Sequence, residues 1–127
     1  MKPSTRERID KAEADFSAAL ILRRSRKQHT RDIVCFHFQQ CIEKYLKGRL
    51  IEAGIAFTKT HDLEKLLDLA LPIEPAWALL RPELGALTDF AVESRYPGKS
   101  ATAAEATKLT RSTTRIRGLI RQSLGLA

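Results

Sequence analysis

From Asp32 to about Ala53 the chain spreads apolar residues so broadly around one helical period that the segment has to be enclosed. Val34, Phe38, Cys41, Ile42 and Tyr45 form one stripe, and Phe36, Leu46 and Leu50 widen it. A helix lying on a surface needs only a narrower apolar stripe, so this width predicts burial against more than one neighbour. Gly54 supplies the stop. The segment is expected to be the central helix of a bundle.

The other segments fit around it. Ser4-Thr5-Arg6-Glu7 has the form of a capping box, and Ile9, Ala12, Phe16, Ala19 and Leu20 then recur at helical spacing to about Arg26. Arg23, Arg24, Arg26 and Lys27 close that helix with charge suited to its negative pole. Thr60 is the expected cap of a short third helix bearing Leu63, Leu66, Leu67 and Ala70. Pro72, Pro75 and Pro82 interrupt the next stretch, where Trp77, Leu79 and Leu80 are expected to pack as a helical turn or short helix. A longer helix follows from Pro82 to about Glu93. Arg95-Tyr96-Pro97-Gly98 reads as a turn, because proline cannot continue a helix and holds its predecessor extended. The last helix is expected from about Ala101 to Leu124, with Ala106, Leu109, Thr113, Ile116 and Ile120 inward and Lys108, Arg111 and Arg115 opposite. No segment alternates long enough to be a strand. The expected architecture is all-α, an up-and-down bundle of four main helices plus one short helix, with residues 1–127 as a single domain.

Charge is unevenly placed. Residues 1–31 hold nine Lys/Arg against four Asp/Glu, and residues 99–127 hold six against one. The middle, 32–98, holds seven against ten, so two basic ends flank an acidic centre. Such ends suit a polyanion such as RNA or an acidic partner, and serve equally as a solvated surface. The longest apolar runs, such as Ala18 to Leu22, fall far short of the roughly 18 residues of a membrane span. The charged N-terminus lacks the apolar core of a secretory signal, so the expected location is the cytoplasm, without membrane contact. Cys35 and Cys41 are six residues apart on one helix, about 9 Å along its axis. That is too far for a disulfide, so buried reduced thiols are expected.

Motifs for chemistry are sparse. Neither a phosphate-binding glycine loop nor a nucleophile elbow is present, and no cofactor is implied. His37 and Cys41, four apart, are too few for a zinc site, so no metal is expected and His37 is read as an interior or interface hydrogen-bonding residue. Arg24 to His29 and Arg31 to His37 are loose Arg–His spacings of the kind an arginine-rich segment produces by chance.

Four motifs together resemble the HEPN family of small helical domains: Phe36-His37-Phe38-Gln39-Gln40, Glu43-Lys44-Tyr45-Leu46-Lys47, His61-Asp62-Leu63 and Arg95-Tyr96-Pro97-Gly98. The last points to an Arg-Tyr-Pro subtype of small prokaryotic single-domain HEPN proteins. The resemblance implies a homodimer, often paired with a small nucleotidyltransferase in a toxin–antitoxin-like system. Ribonuclease members carry an arginine followed four to six residues later by a histidine, which can cleave RNA without a metal. Here Arg95 matches the arginine, but Tyr-Pro-Gly-Lys-Ser-Ala-Thr follows, with no histidine. The motif is incomplete, no catalytic residue is assigned, and catalysis is disfavoured.

The expected role is a nucleotide- or RNA-binding or assembly module. Its candidate anion-binding residues are Arg95, Tyr96, Lys44, Lys47 and His61. Each has a structural alternative: Arg95 can pair with Glu93 or Asp89, Tyr96-Pro97 can pack the turn, Lys47 can be solvated, and His61-Asp62 can organise the third helix. Two other functions remain open, a metal-independent endoribonuclease with an altered active site and an accessory subunit whose basic helices grip an acidic partner.

Overall fold

The structure, a computed structural model, describes residues 1–93 and 97–127. Among these residues there are five α-helices and no strand: α1 (Pro3–Arg23), α2 (Arg31–Glu52), α3 (Leu63–Ala70), α4 (Arg81–Glu93) and α5 (Ala103–Ser123). Short 3₁₀ turns at Gln28–Thr30 and Pro75–Leu80 join α1 to α2 and lead into α4. Four long helices and one short one match the expected bundle.

The breadth of the α2 stripe has the predicted consequence, for α2 packs against α1, α3, α4 and α5. Phe38, Cys41, Ile42, Tyr45, Leu46 and Leu50 are all fully excluded from solvent. Gly48 lets α1 come close. A Cβ there would sit 2.8 Å from Ile9 Cδ1, inside normal contact distance. At the end of α2, Gly54 takes φ 72°, and Ile55 N–H bonds Leu50 O at 2.9 Å while Gly54 N–H bonds Ile51 O at 3.0 Å. This left-handed turn satisfies carbonyls the helix would otherwise orphan, and a glycine adopts it without Cβ strain.

Several helix ends differ from expectation. α1 begins at Pro3, ahead of the Ser4–Glu7 box, and no side chain caps it. Proline presets the first helical φ, and a tertiary anchor replaces the local cap: Lys2 N–H donates to Glu52 Oε1 at 2.9 Å and Lys2 Nζ to Ile51 O at 3.0 Å. α1 also stops at Arg23 rather than Arg26, because Arg26 turns to φ 54°. Asp62, not Thr60, caps α3, its Oδ1 accepting from Glu64 N at 3.0 Å; Thr60 Oγ1 accepts from Asp62 N at 3.1 Å and sets up that turn. α5 starts at Ala103 behind a full capping box, Thr102 with Glu105, that the spacing had concealed inside the helix. Leu79, expected to pack, is 84% exposed, since its 3₁₀ turn directs Trp77 and Leu80 inward instead. The inward residues of α5 are placed as expected.

No helix among the described residues is long and apolar enough to cross a membrane. Both cysteines are free and buried. Burial pushes the Cys35 thiol up to about 12 and raises that of Cys41 further, which suppresses the thiolate.

Candidate functional site

Polar residues of α2 project from a buried helix, so each must find a partner on whichever element covers it. Three networks result. On the α1 side, Asp15 accepts from His37 Nδ1 at 2.8 Å and from Lys44 Nζ. Between the same two helices, Tyr45 Oη donates to Glu13 Oε2 at 2.7 Å. Arg117 of α5 closes on the same carboxylate through Nε at 2.7 Å, and Arg121 reaches Tyr45 Oη at 3.0 Å. Arg117 also lies over the Phe16 ring, 4.5 Å from its centroid. The Arg117 guanidinium holds the Glu13 carboxyl below the usual carboxylate range against the opposing effect of burial, and the Tyr45 hydroxyl assists. Burial, with Glu13 as acceptor, raises the Tyr45 phenol.

The third network faces the segment leading into α3. Glu43, 4% exposed, accepts from Lys47 Nζ at 3.1 Å, His61 Nδ1 at 2.9 Å and Gln39 Nε2 at 3.1 Å. Gln39 Nε2 also donates to His61 O at 3.0 Å. Lys47 Nζ sits 5.8 Å from the centre of the Phe57 ring. Burial alone would raise the Glu43 carboxyl, but the bonds from His61, Gln39 and Lys47 hold it below its ordinary value.

These networks place the sequence-predicted residues. Lys47 and His61 come together on Glu43, whereas Lys44 turns to Asp15 on α1. The three cations therefore do not converge on one open anion site. Lys47 is buried rather than solvated, and His61-Asp62 does organise the start of α3. Of that set only His61 keeps a largely exposed side chain, at 70%. His37 is a partly buried hydrogen-bonding residue, as expected. Arg95 and Tyr96 lie outside the described residues. Among the described residues no three His, Cys, Asp or Glu side chains group around a potential metal position.

Uncompensated positive charge gathers elsewhere, at the α1–α2 corner. A groove of about 590 Å³ opens there, walled by Arg23, Arg24, Arg26, Lys27 and Arg31, with no carboxylate in its lining among the described residues. Its floor is Leu20, Val34 and Ala106, and its far wall is the first turn of α5, with Ala103 and Thr107. The start of α5 in that wall is already capped, by the Thr102–Glu105 box and by Asp32 on Ala101 N. The corner is held firmly. Arg23 Nη2 donates to Thr107 Oγ1 at 3.2 Å, and Asp32 Oδ1 accepts from Ala101 N at 2.7 Å. Among the described residues no carboxylate pairs with Arg24, Arg26 or Lys27. Guanidinium forks and an ammonium without counter-ions, arranged around a concavity, are suited to phosphate.

The sequence signal for this groove was the run Arg23, Arg24, Arg26 and Lys27, read as charge at a helix end and as part of a basic terminus suited to a polyanion. The contribution of α5, some seventy residues away, had no local signature.

Comparison with known proteins yields one informative result. No curated protein and no solved structure matches the chain. The HEPN domain family model does match, over residues 5–123. That range takes in all five helices almost entirely, including the α2 motifs whose polar residues build the networks above. With an all-helical bundle and a match along nearly its whole length, the chain belongs to the HEPN family.

Proposed function

We propose that this HEPN protein is a cytoplasmic binding and assembly module that captures a nucleotide or RNA through phosphate contacts at the α1–α2 corner. In this reading it works as a homodimer of the Arg-Tyr-Pro subtype, with a small nucleotidyltransferase as partner in a toxin–antitoxin-like pair. The observation that carries the binding part is the groove lined, among the described residues, by five cations and no carboxylate. By contrast, Lys44 and Lys47 have acidic partners within the fold, so their charge is largely satisfied internally. Arg95 and Tyr96 remain in the proposal as contributors to phosphate or partner binding, on the family resemblance of their turn.

Three measurements test it. Isothermal titration with ATP and with short RNA should give saturable binding that Arg24→Ala/Lys27→Ala weakens by about 1–3 kcal/mol, the usual worth of charge-assisted bonds. Binding of neither ligand would defeat the reading. Light scattering at tens of micromolar, where a modest interface populates, should report a dimer; monomer alone would remove the assembly claim. Robust metal-independent RNA cleavage abolished by Arg95→Ala would replace the binding module with the endoribonuclease reading.

A further inference from the structure

The basic groove does not end at α5. A second, shallower depression of about 580 Å³ lies on the other side of that helix, and Ala103 and Thr107 line both. Lys108, Arg111 and Arg115 border the second depression, together with the Glu83 carboxylate. Arg115 is paired with Glu83 of α4, whereas no carboxylate among the described residues pairs with Lys108 or Arg111. The two basic ends of the sequence, residues 1–31 and 99–127, are thus joined over the first turns of α5. From Ala103 to Arg115 the helix rises roughly 18 Å, the axial length of about five nucleotides stacked at about 3.4 Å each.

Resting on the phosphate-binding reading above, we infer that the two depressions form one continuous track for the phosphodiester backbone of a nucleic-acid strand, not a pocket for a mononucleotide. Cations stand on both flanks of α5, and a strand that crosses the helix reaches both. The small side chains Ala103 and Ala104 keep the crossing point low, and Thr107 offers a hydroxyl there. Among the described residues no aromatic side chain lines either depression, so none of them gives the bases a stacking platform. The track therefore reads charge rather than sequence. An acidic amphipathic peptide is a poorer fit, because of the three floor residues only Leu20 is partly exposed, Val34 and Ala106 being 2% and 6% exposed.

The test uses the full chain and fluorescein-labelled uridine RNA of 3 and 12 nucleotides, with ATP and poly-glutamate as competitors, across a salt series. Arg24→Ala/Lys27→Ala and Lys108→Ala/Arg111→Ala alter exposed side chains on opposite flanks of α5, and circular dichroism checks that both stay helical. Single-strand binding loses affinity with a log–log salt slope of about −0.7 per phosphate neutralised. Each double variant should therefore flatten the slope by about 1.4 and weaken the 12-mer by about tenfold or more. The 3-mer should bind far more weakly than the 12-mer, and ATP should displace the 12-mer poorly. Equal affinity for ATP and the 12-mer, with Lys108→Ala/Arg111→Ala unchanged, would overturn the track while leaving the phosphate groove standing. Binding of poly-glutamate in preference to RNA, or of no probe at all, would overturn both.

Discussion

Glu43 and Lys47, one helical turn apart on α2, form an ion pair at 3.1 Å with side chains only 5% and 7% exposed. An i, i+4 pair of this kind on a helix surface contributes a few tenths of a kcal/mol. Here the surroundings change the stakes, because both charges have left water and each depends on the other. His61 and Gln39 complete the carboxylate's coordination, so the network ties α2 to the segment that starts α3.

Breaking the pair from one side should therefore cost far more than replacing it whole. Glu43→Leu leaves the Lys47 ammonium buried without its counter-charge, and should destabilise the fold by about 3–5 kcal/mol. Glu43→Leu/Lys47→Met should recover much of that loss. Urea unfolding of the wild type, Glu43→Leu, Lys47→Met and the double variant checks this, and additive losses in the double variant would show that the pair is not coupled.

Acid should unfold the protein through the same carboxylates. Glu13 and Glu43 both have folded pKa values below the ordinary value. Their contribution is present above the unfolded pKa, near 4.5, and is lost as pH falls through the lowered folded values. Stability should be flat from pH 7 to about 5 as far as these groups go, then decline. Glu13→Gln should reduce the slope of that decline in urea titrations between pH 5 and 3.

Both thiols should be inert in the native protein. With Cys35 and Cys41 buried and their ionisation suppressed, a thiol reagent at pH 8 should label neither within the time that denatured protein is labelled at both. Rapid native labelling would mean that α2 opens locally.

Gly48→Val should loosen the α1–α2 contact. Even a Cβ meets Ile9 Cδ1 at 2.8 Å, and Ile9 is 1% exposed with little room to retreat. Overpacking of this sort should cost about 1–3 kcal/mol, read as a lower midpoint in thermal unfolding, and Ile9→Ala should partly rescue it.

The sequence by itself determined the helices, the centrality of α2, the inward face of α5 and the family. Each rests on apolar periodicity or on motifs contained within a single segment, and such signals survive without knowledge of the partners. Helix ends were less legible where a distant group intervened, as Glu52 does for Lys2 at the start of α1. Lys44 and Lys47 were alike in sequence, three residues apart on one helix. Only packing sent one to Asp15 on α1 and the other to Glu43 beneath His61. The basic groove is the same case at larger scale, since its walls come from residues 20–34 and from the start of α5. Helical period is a local property of the backbone. Which charges are neutralised and which are left facing a common cleft depends on the neighbour each helix acquires, and that choice is made by the burial of the whole apolar core.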